Sequence, residues 1–189
     1  MPGTNTVANP FKTKEFFLKN IEETNELFNN SSDAEKRVMI AQDCIDRILV
    51  KLLNPYKGNM LILETNIDDD LSSLEINKET INDKGCQVCA KGGLFASYIG
   101  RVNNFNECTF SLGNEVYNNA HQKLLEIFSL EQLTIIEMAF ENAKYIKSVP
   151  ISSELEAELE NFHNRYESSE ERLIAICENI IENKGTFIL

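Results

Sequence analysis

Serine followed three residues later by glutamate or glutamine, and then by apolar residues at helical spacing, recurs along this chain and sets where its helices begin. Ser32–Glu35, Ser129–Gln132, Ser153–Glu156 and Ser168–Glu171 all have this form. In such a capping box the serine oxygen accepts from an amide in the first turn, and the acidic or amide side chain accepts from the serine's own N–H. Donors that a helix start leaves open are thereby satisfied. Downstream of Ser32, Val38, Ala41, Ile45, Ile48 and Leu52 recur every three or four residues, until Pro55 and Gly58 close the segment. Asn9 at an N-cap position with Pro10 in the first turn predicts a further helix through KTKEFFLKNIEETNELF, with Phe17, Ile21, Asn25 and Phe28 on one side. Helices are also expected from the Cys86–Cys89 stretch to about Asn104, over NEVYNNAHQKLLEIF, and after each remaining box.

The expected fold is mainly α, a compact helical domain of about six to seven helices. A minor β element is placed at 60–63; 107–111 is read as a second strand or an irregular connection, and the extended tail 186–189 as a candidate to pair with 60–63. Residues 1–189 are read as one domain, with 1–30 a helical arm at its N-terminal end. The acidic, Ser- and Asn-rich segment 64–84, lacking a sustained period, is read as an exposed loop.

A chain of 189 residues with 42% hydrophobic content can bury a sizeable core without disulfides or metal. Its five cysteines, an odd number, do not frame loops as a secreted disulfide scaffold would. The opening residues carry no basic-then-apolar leader pattern, and the run RILVKLL is broken by charge well short of a bilayer span. These features predict a cytoplasmic protein that does not enter membranes. With 30 acidic against 18 basic residues, the net charge of −12 opposes direct nucleic-acid binding. It serves solubility, or a surface that competes for a basic partner site.

The stretch CQVCAKGGLFASYIG admits three readings. As a zinc half-site, Cys86 and Cys89 would need two further ligands, for which Cys108 and His121 are the nearest candidates, each alone on its element. As a redox pair, the cysteines would sit at a helix N-terminus, yet no strand precedes them in the manner of a thioredoxin motif. The third reading is packing. On a helix, Cys89, Gly93, Ala96 and Gly100 form a stripe of small side chains that lets another backbone approach. Gly92, Gly93 and Gly100 together give up on the order of 2 to 3 kcal/mol of helix propensity, which close crossing would have to offset. Packing accounts for the most residues, so neither a metal nor another cofactor is expected.

Other features carry less. Asp68, Asp70, Ser72 and Glu79 match calcium-loop positions, but Ser73 stands where the sharp turn requires glycine. His121 and His163 read as partly exposed helix residues with no acid or nucleophile tied to them in sequence. Phe11, Phe16, Phe17 and Phe28 make the first helix sticky enough to bury against a second copy, so a homo-oligomer through that helix is an open expectation. A pocket, if present, is expected where the small stripe meets the acidic loop, with Lys91, Tyr98 and Arg101 as its polar groups. The ordinary alternative for Arg101 is to close the helix end and pair with a carboxylate.

Taken in order, RVMIAQDCIDRI, CQVCAKGGLFASYI, FSLEQLTIIEMAFE and ENIIENKGTFIL resemble a family of small uncharacterised bacterial and phage proteins. That family has a CxxCAxGxxF-like helix, an FSxxQLxxIExAFE-like helix and no established activity. The resemblance runs from about residue 36 onward and implies a phage or mobile-element accessory protein. The expected function is a soluble helical binding module acting stoichiometrically, as an inhibitor or a ligand-sequestering protein, on a host or phage protein or a small ligand. The alternative is a metal- or thiol-dependent enzyme using Cys86 and Cys89.

Overall fold

The structure, a computed structural model, describes residues 13–58, 60–64, 75–102, 104–108, 114–142 and 151–189. It opens with a helical hairpin, α1 (Lys14–Asn30) and α2 (Asp33–Leu49), joined by Ser31 and Ser32 alone. Short strands β1 (Leu53–Pro55), β2 (Leu61–Leu63) and β3 (Glu75–Asn77) follow, then the six-residue helix α3 (Lys78–Asp83). Strand β4 (Cys86–Val88) runs directly into α4 (Ala90–Ile99), and β5 (Asn106–Cys108) leads to α5 (Asn114–Leu125). Three more helices complete the chain: α6 (Leu130–Glu141), α7 (Ser153–Arg165) and α8 (Ser169–Glu182). The fold is mainly α, with eight helices among the described residues. None of the described helices is long and apolar enough to cross a membrane.

Two of the four expected capping boxes form in full. Ser32 and Ser168 form complete boxes with Glu35 and Glu171. Ser129 accepts from the Gln132 amide, but the Gln132 side chain bonds both backbone groups of Phe187 instead of closing a box. For α7 the cap is Ser152, not Ser153, and it accepts from the Leu155 amide at 3.2 Å. The Asn9–Pro10 start lies outside the described residues. α1 begins at Lys14 behind Thr13, which makes no side-chain cap bond.

Helix α4 is buried along its whole length, as befits a segment apolar or small on every side. α2, α5 and α6 pack around it, α8 lies on α2, and β4 sits beneath its start. In the three-stranded sheet β4 is central, parallel to β1 (Leu53 opposite Cys86) and antiparallel to β2 (Leu61 opposite Val88). The expected strand at 60–63 is therefore present as β2, and that at 107–111 as β5, which pairs antiparallel with β3; residues 109–111 lie outside the described residues.

Three expectations are corrected. The tail 186–189 does not pair with 60–63, because its backbone bonds go to side-chain amides: Phe187 N–H donates to Gln132 Oε1 at 2.7 Å and Ile188 N–H to Asn179 Oδ1 at 2.8 Å. The segment read as a loop over 64–84 contains β3 and α3, whose Ile76 and Ile81 are buried; residues 65–74 lie outside the described residues. Cys86 is not helical but lies in β4, and the helix starts only after Cys89. The close backbone approach expected along α4 falls at Gly92, where a Cβ would sit 1.4 Å from the Met60 carbonyl oxygen. At Gly93 the neighbour is a side chain, the Cys44 thiol.

Candidate functional site

The C-terminal half of α2 carries Asp43, Asp46 and Arg47, all buried although charged. Burying charge is unfavourable unless each group is answered, so their partners define the site. Asp43 is answered by Arg101, which follows α4. The Arg101 fork donates from Nε to Asp43 Oδ2 and from Nη2 to Oδ1 at 2.8 Å, while Nη1 donates to Thr24 Oγ1 at 3.0 Å. The guanidinium also lies over the Phe28 ring, 5.2 Å from its centroid. Arg47 turns the other way, bonding Asn82 Oδ1 at 2.6 Å and lying over Phe17.

Asp46 differs from Asp43. It is 3% exposed, and its one side-chain hydrogen-bond partner among the described residues is the Gln42 amide, 3.2 Å from Oδ1. None of the ion pairs among the described residues includes it. Burial, aided by the neighbouring Asp43 charge and opposed by the Gln42 bond, pushes its carboxyl up to about 6.

Asp46 lines a cleft of about 430 Å³ between the hairpin helices, with Asn20 and Thr24 across from it and Arg101 at its edge. Met39 also lines a second hollow of about 490 Å³, bordered by Leu27, Ala34, Val38, Ile181 and the exposed Lys184. The two hollows share Met39 and follow one face of the hairpin as a groove. Its α1 wall is Asn20, Thr24, Leu27 and Ser31, and its α2 wall Glu35, Met39, Gln42 and Asp46. Both walls have the i, i+4, i+7, i+11 spacing of a single helix face.

Most polar groups of this groove are engaged with one another. The Thr24 hydroxyl donates to the Asn20 carbonyl at 2.7 Å and accepts from Arg101, so it is held as a structural link rather than as a nucleophile. Asp43 and Arg101 neutralise each other. Asp46 is left as an acceptor with room in front of it.

The three polar residues expected to share a pocket do not converge. Lys91 pairs with Glu137 of α6 at 2.7 Å, Tyr98 donates to Glu126 at 2.8 Å, and only Arg101 borders the groove, already bound to a carboxylate. Nor is the small stripe the pocket wall, since α4 is enclosed. Asp43, Asp46 and Gln42 escaped the sequence reading because an acidic residue four before an arginine on a helix looks like an exposed ion pair. The only faint signal was their position between apolar residues on every side, in IAQDCIDRIL.

The thiols are packed. Cys86 is fully buried in β4, its Sγ 3.8 Å from the Lys84 carbonyl oxygen, and burial pushes its thiol up to about 12. Cys89, at the N-cap of α4, is raised to about 11 by burial despite the Gly92 amide. Such values oppose thiolate chemistry at neutral pH. His121 lies on α5, its ring held below its usual value by partial burial and by Lys91. The Cys108 side chain lies outside the described residues, as do Asp68, Asp70 and Ser72 of the calcium-like spacing. Among the described residues no group of three or more His, Cys, Asp or Glu is arranged to hold a metal ion. His163 is not the partly exposed residue expected but is buried. Its Nδ1 lies 3.3 Å from the Ala139 carbonyl, which requires a proton on Nδ1 and leaves Nε2 to accept from Lys57 at 3.0 Å.

Comparison with protein families, with curated proteins and with solved structures finds no match to this chain.

Proposed function

We propose that this protein is a soluble, cytoplasmic binding module that occupies a partner stoichiometrically, as an inhibitor or sequestering protein. The resemblance of its helical motifs to small bacterial and phage proteins supports an accessory role in a phage or mobile element. The observation that carries the reading is the hairpin groove: an open, largely apolar channel in which the hydroxyl and the guanidinium are held by internal bonds and one buried carboxylate awaits a partner. The rival thiol enzyme is disfavoured by the elevated Cys86 and Cys89 thiols.

Quantitative affinity purification of the tagged full chain from a bacterial host tests this. One polypeptide or small ligand retained in a ratio approaching one per chain is expected, with the cellular effect titrated away by raising that component's abundance. An effect that persists far below equimolar protein, or no component held near that ratio, overturns it.

A further inference from the structure

We propose that the groove of the α1–α2 hairpin receives a basic amphipathic helix of a partner protein, about three turns long, with an apolar side chain against Leu27 and Met39 and an arginine or lysine against Asp46. This rests on the binding-module reading and specifies its ligand.

The dimensions set the length. From Glu35 to Asp46 the α2 wall rises eleven residues, roughly 16 Å at 1.5 Å per residue. Met39 and Asp46 stand seven residues apart, two helical turns. An occupant lying along the groove therefore presents its apolar and cationic residues at i and i+7, on one face of its own helix.

Charge selects the sign. Asp46 is buried, borders the cleft and has no cation within ion-pair distance among the described residues; Arg101 is near enough to act on it but is forked onto Asp43, and the groove's other cation, Lys184, lies at the Leu27 end. A neutral occupant would leave uncompensated a carboxylate that burial already penalises, an acidic one would add repulsion, and a cationic one would offset the penalty. The net charge of −12 extends the preference over the whole approach. The apolar contribution is available because Leu27 is 62% exposed in the rim, and Phe16, 61% exposed, continues the α1 stripe one turn beyond Asn20.

A second copy fits less well. It carries the same charge, and its α1 would bring its own exposed Glu22, Glu23 and Glu26 toward theirs.

The probe is a labelled fourteen-residue alanine-based helical peptide with leucine at its fourth position and arginine at its eleventh. Its binding to the full chain is followed by fluorescence anisotropy. Saturable binding is expected, weakened about ten-fold or more when the peptide arginine becomes glutamate or when the protein carries Asp46→Asn. Leu27→Asp, at an exposed rim position, should weaken it comparably, and circular dichroism should show both variants folded. Equal affinity for the glutamate peptide, or unchanged binding in both variants, overturns the proposal. So does a dimer in sedimentation that Leu27→Asp dissociates, which would put a second copy in the groove. If the variants still hold the cellular partner one to one, this placement falls while the binding-module reading stands; if the unmodified chain holds none, that reading falls first.

Discussion

Arg101 ties three elements together with one side chain: it forks onto Asp43 of α2, donates to Thr24 of α1, and stands at the end of α4. An ion pair this deeply buried contributes little net stability, because desolvation offsets most of the attraction, but breaking it from one side leaves an uncompensated charge. Replacing Arg101 by methionine is therefore expected to destabilise the fold by about 3 to 5 kcal/mol in urea denaturation. Adding Asp43→Leu to Arg101→Met should recover most of that loss, since the stranded carboxylate is gone. A double variant no more stable than Arg101→Met would show that the two residues act independently. Of this arrangement the sequence carried only half: an arginine just past a helix end foretold a carboxylate partner, yet nothing in the spacing of residues 43 and 101 named Asp43.

At the scale of elements, the smallest helix has a large part in holding the site. α3 is six residues long, too short to persist alone, and is opened by a complete box between Asn77 and Thr80. Its Asn82 accepts from Arg47 at 2.6 Å and donates to the Gly100 carbonyl at 3.1 Å, next to Arg101. Asn77→Ala should cost about 1 kcal/mol, the usual value of an N-cap, and should accelerate amide exchange across 78–83 and at Gly100. A loss confined to α3, with Gly100 exchange unchanged, would mean that Asn82 does not couple the helix to the site. Longer helices were legible because cap and period agree over several turns: Ser32 precedes a sustained apolar stripe, and Ser168 does likewise. α3 was illegible because six residues hold less than two turns of period, and its cap is an Asn–Thr pair rather than Ser–Glu. β4 was hidden for a related reason. Its burial does alternate, Cys86 and Val88 inward and Gln87 half-exposed, but three residues are too few to show a period, so the strand read as the start of the helix that follows it.

For the molecule as a whole, acidification moves several buried groups in opposite directions, and the site is best read from a difference. Asp46 titrates near 6 in the fold against 3.8 for an ordinary aspartate, so the folded state holds a proton that the unfolded chain releases between those values. Its ionised form is thus penalised above about pH 6, and its contribution to stability rises as pH falls through 6 toward 4. His163 and His121 act the other way. Both are held below 6.5, by burial first and by nearby cations, so the unfolded chain takes their protons first and stability is lost as pH falls through that range. The unmodified protein can show a flat profile while these terms cancel. Comparing it with Asp46→Asn removes every shared term and leaves Asp46 alone. The variant should be more stable by on the order of 2 kcal/mol at pH 7.5, and its advantage should shrink steadily to pH 4. Denaturant melts of the two proteins at half-unit pH steps measure this. A difference independent of pH would mean that the Asp46 charge is already compensated in the fold, and with it the electrostatic vacancy in the groove would disappear.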